Sequence, residues 1–309
     1  MATTMVNAVP ISGDFFVGKK GKFSRDKERP KSPPNGPRTS VRRAKQLKAE
    51  AELVLEQRNH LIRVIIANRS LQTHFQPIVD LGTGEAIGTE ALTRFGHQPV
   101  RPPDVWFAEA AAVGLGVELE LAALHSALGQ LHRLPSGLYL SLNASVETIL
   151  SDQFQGILDD VAAERIVLEL TEHTPINDYL EFERGLSHLR SRGVRLAVDD
   201  AGAGFSSFRH ILDLKPDVIK LDVALTRDID TDPARQALGR ALLTFGLETY
   251  NTTIVAEGIE TKGELAMLRS LGCPSGQGFF LGRPSPLRPD RPPSVSLPTL
   301  VGFHPPSED

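Results

Sequence analysis

Cysteine is all but absent from this chain of 309 residues. The single Cys273 can form neither an intramolecular disulfide nor a cysteine-based zinc site. A reducing compartment, the cytoplasm, is therefore the expectation. Long apolar runs are missing too. The longest, Ala110 to Val117, ends at Glu118 after eight residues, far short of the ~18 that a membrane helix needs. The first residues lack the charged-then-apolar pattern of a secretion signal. The nine histidines show no metal-ligand spacing. A large net charge is also lacking, but the total of −4 hides a split. Residues 1–50 hold 12 Lys/Arg and 4 Asp/Glu, and the remainder 22 and 34. A basic arm of +8 thus precedes a body of −12, which excludes a uniformly basic nucleic-acid binder. The arm suits a solvated tail, or salt-dependent contact with nucleic acid or anionic lipid.

What is present is ordinary for a soluble globular protein: 40% hydrophobic and 23% charged residues. Thirteen of the 22 prolines fall in residues 1–40 and 283–309. Four stretches follow: a disordered basic tail (1–40), a helix (41–70), a compact domain (71–286) and a proline-rich disordered tail (287–309). In the helix, Leu47, Val54 and Leu61 recur at spacing seven, while Arg58 interrupts the second stripe. That pattern fits a helix packed on the domain or a dimerising coiled linker. No room remains before residue 70 for a folded sensor domain, so a regulator would be a separate chain.

From Thr73 the pattern alternates. Strands are expected at Thr73–Val79, Ala86–Arg94, Leu138–Leu142, Ile166–Leu170, Val194–Val198, Val218–Leu221, Thr252–Ala256 and Gly276–Phe280. Helices are expected at Pro103–Arg133 (broken near Gly114 and Gly116), Val146–Val161, Asn177–Arg192, Phe208–Leu214, Asp232–Leu247 and Lys262–Leu271. Eight strands among helices suggest a closed α/β barrel. An open doubly wound sheet is the alternative.

Polar residues cluster at the strand ends: Asn143, Glu169, Asp199, Asp200, Lys220, Glu257 and, most loosely, Gln277. In a parallel barrel the carboxyl ends meet on one face, where barrel active sites lie. With Glu90, that face gathers five carboxylates, which without a cation would raise several pKa values. All-oxygen ligands point to Mg²⁺ or Mn²⁺ rather than zinc. The adjacent pair Asp199-Asp200 suits two metals, which together clamp the attacking and leaving oxygens of a phosphoryl displacement. Lys220 would orient the attacking water or stabilise developing charge. The Gly202-Ala203-Gly204 loop, with Asp222 downstream, superficially fits a dinucleotide fingerprint. Ser207 at the third position and the preceding aspartates argue against it, and a loop over a metal site fits better.

Eight ordered segments carry a resemblance. They are Phe75-Gln76-Pro77-Ile78-Val79, Glu90-Ala91-Leu92-Thr93-Arg94, Leu142-Asn143-Ala144-Ser145, Glu169-Leu170-Thr171-Glu172, Asp199-Asp200-Ala201-Gly202-Ala203-Gly204, Ile219-Lys220-Leu221-Asp222, Ala256-Glu257-Gly258-Ile259-Glu260 and Gly276-Gln277-Gly278-Phe279. In these the sequence resembles the EAL-domain phosphodiesterases, which hydrolyse cyclic di-GMP. The resemblance implies a TIM-like (β/α)8 barrel with one reversed strand, two Mg²⁺ or Mn²⁺ ions, linear pGpG as product and a homodimer. Glu90, Asn143, Glu169 and Asp199 look like ligands of the first metal, and Asp199 and Asp200 of the second. Lys220 looks like the holder of the nucleophilic water. Glu257 resembles a general base or second-metal ligand, with Gln277 as its hydrogen-bonding neighbour. Glu172 resembles the glutamate anchoring the loop Ala201–Ser207, and Glu260 a nearby supporting acid. Gln76 and Arg94 look like ligand contacts, with Leu92 packing beside them; a guanidinium is well shaped for phosphate.

The chain departs from the family at Ala201 and Ala203, where an aromatic and a threonine are usual, and at Phe95, where tryptophan is usual. The two alanines are expected to loosen the loop, Phe95 is a modest change, and no metal ligand that the resemblance implies is removed. A catalytically silent cyclic di-GMP receptor and a protein–protein interaction module are the competing readings. Cys273 and Trp106 are expected in the core.

Overall fold

Eight short strands close on themselves in the computed structural model of the chain, which describes residues 37–96, 100–159, 161–170, 176, 178–201, 205–250 and 252–287. Two compact units divide at Glu50 and Ala51. Helix α1 (Pro37–Asn68) begins in the first unit, where Gln46 Nε2 donates to Glu50 Oε1 at 2.9 Å. It starts earlier than the expected Val41. The remainder of the tails lies outside the described residues.

The second unit holds the barrel. Its strands are β1 (Leu71–Asp80), β2 (Ala86–Phe95), β3 (Tyr139–Asn143), β4 (Ile166–Leu170), β5 (Arg195–Ala201), β6 (Val218–Leu221), β7 (Thr253–Ala256) and β8 (Ser275–Gly276). They pair in sequence order and β8 returns to β1. Strand β1 is antiparallel to both neighbours, and the other pairs are parallel. The open sheet is thereby excluded. A βαβ crossover needs both faces of its strand covered, and β4 is buried along its whole length.

Helices α2 (Pro103–Ala112), α3 (Gly116–Leu128), α4 (Val146–Leu150), α5 (Asp152–Ile157), α6 (Tyr179–Ser191), α7 (Phe205–Leu214), α8 (Val223–Thr226), α9 (Pro233–Tyr250) and α10 (Lys262–Ser270) complete the order. Three expectations change. The helix expected over Val146–Val161 is two, because the Ser151 hydroxyl accepts from Phe154 N–H and starts a new helix. The last strand is two residues, because Gly278 C=O accepts from Leu281 and Gly282 in a tight turn. Strand β5 runs on through Ala201, so Asp199 and Asp200 lie inside it rather than after it.

The lumen is packed, not open. Ile78, Val167, Ala197, Val218 and Val255 fill it, with Ile87 and Tyr139 against them. Gly88 makes room for Tyr139, since a Cβ there would sit 2.5 Å from the ring. Outside the barrel, Ile62 and Ile65 of α1 pack with Trp106, Ala110 and Leu119. Of the heptad residues, Leu47 is 57% and Val54 43% exposed, while Leu61 packs against that cluster. Cys273 is buried, and burial pushes its thiol up to about 12. No described helix is long and apolar enough to cross a membrane.

Candidate functional site

Side chains two apart share a strand face, so inward positions of successive strands stack in layers down the barrel. The upper layers are polar. Lys220 of β6 stands at their centre, 1% exposed. Its Nζ lies 2.7 Å from Glu257 Oε1, 3.0 Å from Glu169 Oε2, 3.3 Å from Asp199 Oδ2 and 3.7 Å from Glu90 Oε2. Four of the five expected carboxylates therefore converge on one ammonium. Part of the positive charge that holds these carboxylates together is therefore Lys220 itself.

Glu90 is fixed by amides. Asn143 Nδ2 donates to its Oε1 at 3.0 Å, and Gln277 Nε2 to its Oε2 at 2.6 Å. Gln277 Nε2 also lies 3.1 Å from Gln76 Oε1, and Gln76 Nε2 donates to Gly282 C=O at 3.1 Å. Gln277, expected beside Glu257, thus bonds Glu90 and Gln76. Its Oε1 is buried without a partner among the described residues. Turning the amide over would set that oxygen against the Glu90 carboxylate, so the hydrogen-bond network dictates this orientation.

Asp200 joins through a bulge. Val198 pairs with Ile219 and Ala201 with Leu221, so β5 holds one residue more than β6. Asp200 takes a left-handed φ of 55°, and a bulge of this kind re-aims a side chain. Asp199, Asp200 and Glu257 each offer a carboxylate oxygen, and these lie within 4.8 Å of one another. Three hard oxygen donors so close fit a divalent cation of the Mg²⁺ or Mn²⁺ type.

Charge and burial pull the titrations apart. Burial pushes Glu90 up, but Lys220 and the amide bonds outweigh it and hold the carboxyl below its ordinary value. Burial drives Glu169 well above the usual range despite Lys220, with Glu90 and Asp199 adding to the rise. Burial likewise pushes Glu257 up to about 8. Burial disfavours the Lys220 charge, yet Glu169, Glu257, Glu90 and Asp199 together hold its pKa well above the ordinary value.

Beside the mouth, Leu92, Arg94, Phe107 and Asn143 help to line a largely apolar cavity of about 340 Å³. Arg94 Nη1 donates to Thr93 C=O at 3.0 Å. Glu260 is not brought into the cluster. It is exposed, and its N–H donates to Glu264, the buried acid that caps α10. Glu172 and Gly202–Gly204 lie outside the described residues. Sequence reasoning missed Ser141, 1% exposed, whose Oγ donates to Glu169 Oε1 at 2.5 Å. The alternation Tyr139, Ser141, Asn143 on one face of β3 was the available signal.

Comparison with known proteins matches this architecture. The model of a family described as EAL domain matches residues 58–284. The bifunctional diguanylate cyclase/cyclic di-GMP phosphodiesterase MucR of Pseudomonas aeruginosa is 32% identical over 239 residues, which cover 74% of this chain and 35% of that protein. A solved structure of the MucR phosphodiesterase in complex with c-di-GMP superposes with a TM-score of 0.66 at 31% identity, covering 74% of this chain and 98% of that one. The manganese/cy-diGMP complex of BlrP1 from Klebsiella pneumoniae gives 0.63 at 30% identity, over 70% and 56%. The chain spans about a third of the length of the curated relatives it matches.

Proposed function

The chain belongs to the EAL domain family, and from that premise we propose that it is a divalent-metal-dependent phosphodiesterase that hydrolyses cyclic di-GMP to linear 5′-pGpG. The observation that carries the reading is the convergence of Glu90, Glu169, Asp199 and Glu257 on the buried Lys220 ammonium. Relatives named as cyclic di-GMP phosphodiesterases add support, as does the manganese complex of BlrP1.

Glu90, Asn143, Glu169 and Asp199 would hold one cation, and Asp199, Asp200 and Glu257 a second. The grouping of those last three oxygens favours the ligand role for Glu257 over that of general base. Bound there, divalent cations would supply Lewis-acid stabilisation of the phosphoryl oxygens. Lys220 Nζ, held charged by its neighbours, orients the attacking water through hydrogen bonds. That water adds its oxygen to phosphorus, the P–O3′ bond breaks, and the proton the water gives up ends, overall, on the departing 3′ oxygen. Arg94 pairs with a phosphate of the ligand. Leu92 and the adjoining apolar cavity receive a flat, poorly hydrated part of it.

The purified chain with Mg²⁺ or Mn²⁺ should convert cyclic di-GMP to pGpG, identified by chromatography. Tight binding without product would sink the enzyme reading and favour a silent receptor. Neither binding nor product would favour an interaction module.

A further inference from the structure

Ser141 lies inside the barrel, one strand repeat deeper than Asn143 on the same face of β3. Its hydroxyl has left water, being 1% exposed, and a buried hydroxyl without a partner is costly. Its one hydrogen bond among the described residues runs to Glu169 Oε1, at 2.5 Å. The other oxygen of the same carboxylate, Oε2, accepts from Lys220 Nζ at 3.0 Å. Glu169 rides on β4, so its carboxylate is held between donors from β3 and from β6, two strands further on. Ser141 thus does for Glu169 what Asn143 and Gln277 do for Glu90. A glutamate has three rotatable torsions, and one without such bonds would sample several orientations.

We propose that Ser141 is a positioning residue: its hydroxyl sets the Glu169 carboxylate in the orientation with which the mouth holds a divalent cation. The proposal rests on the metal-dependent reading above. Partners of this kind, one bond removed from a ligand, are worth about 10–100-fold in metal affinity or activity.

Calorimetric titration of the full chain with Mg²⁺ and with Mn²⁺ tests it, independently of turnover. Ser141→Ala should bind either metal about 10-fold more weakly or worse. It should lower kcat while leaving the KM for cyclic di-GMP within about twofold. In a Glu169→Gln background the same change should have no further effect on metal affinity. Ser141→Cys, close in volume and a weak donor, should fall between serine and alanine. Metal affinity of Ser141→Ala within about twofold of the parent chain overturns the proposal. If the alanine variant fails to fold, equal affinity of the cysteine variant and the parent overturns it instead. A parent chain that binds metal but makes no pGpG defeats the enzyme reading alone. One that binds neither metal defeats both.

Discussion

The carboxylates of Asp199 and Asp200 reach the same mouth although the two residues are neighbours within β5. Regular pleating would send them to opposite faces. The extra residue in β5 and the left-handed Asp200 backbone bring them together. Charge and conformation can therefore be separated at this position. Asparagine tolerates a left-handed φ nearly as well as aspartate, so Asp200→Asn should keep the melting temperature within a few degrees. Loss of one proposed metal ligand should still cost at least ~100-fold in kcat. Asp200→Val should lose activity and stability together, by about 1–2 kcal/mol for a branched residue at positive φ. Thermal unfolding beside the product assay checks both.

Lys220 is a structural cation, whatever its part in the proposed reaction, since four carboxylates lie within 4 Å of its Nζ. Removing one member of a buried ion group costs about 3–5 kcal/mol, because the partners stay behind uncompensated. Lys220→Met keeps the volume and removes the charge. With chelator present at pH 8, urea unfolding should show a loss of that size. Mg²⁺ should return more stability to the variant than to the parent chain, because the cation replaces the missing charge. Equal stability of the two chains in chelator would contradict this account.

The barrel was legible because its strands are short apolar runs ending in a polar residue. Asn143, Glu169, Lys220 and Glu257 stand where strand ends place them. A reversed strand was not legible in the pattern, since an antiparallel strand has the same period as a parallel one; the resemblance implied one, and the structure shows it to be β1. The β5 bulge was invisible for a related reason, because periodicity does not report one extra residue. Ser141 was passed over because a small polar residue inside a strand reads as alternation. Its role depends on a partner 28 positions away. The resemblance set Gln277 beside Glu257, whereas its amide reaches Glu90 and Gln76, partners 187 and 201 positions away that no strand pattern reports.

Burial and crowding of like charge give the metal-free protein a pH dependence of unusual sign for carboxylates. Glu257 titrates near 8 in the folded chain, and Glu169 is raised as well. Between the ordinary carboxylate value and about 8, the folded state binds more protons than the unfolded state. Stability is then fully present below the unfolded pKa and is lost as pH rises through the folded one. In chelator, the melting temperature should fall between pH 5 and pH 8, by up to a few kcal/mol of stability. Mg²⁺ should flatten the dependence by favouring the ionised carboxylates. A melting temperature in chelator that rises over this range would contradict the assignment.

Gly278 is held by contact rather than by conformation. A Cβ there would lie 2.2 Å from both the backbone N and O of Ile259. Those atoms cannot yield, because Ile259 N–H donates to Gln277 C=O and Ile259 C=O accepts from Phe280 N–H, both at 3.0 Å. Gly278→Ala must therefore push the two segments apart, at about 1–3 kcal/mol for overpacking. The displacement acts on the neighbouring Gln277, whose amide bridges Glu90 and Gln76, so activity should fall with stability. Gly137 is the control, since a Cβ there meets nothing within 4 Å. Gly137→Ala should leave turnover unchanged and match or exceed the parent stability, by up to about 1 kcal/mol from the unfolded chain's lost freedom. Equal losses in the two variants would mean that glycine content, and not the approach of Ile259 to Gly278, is what the barrel needs.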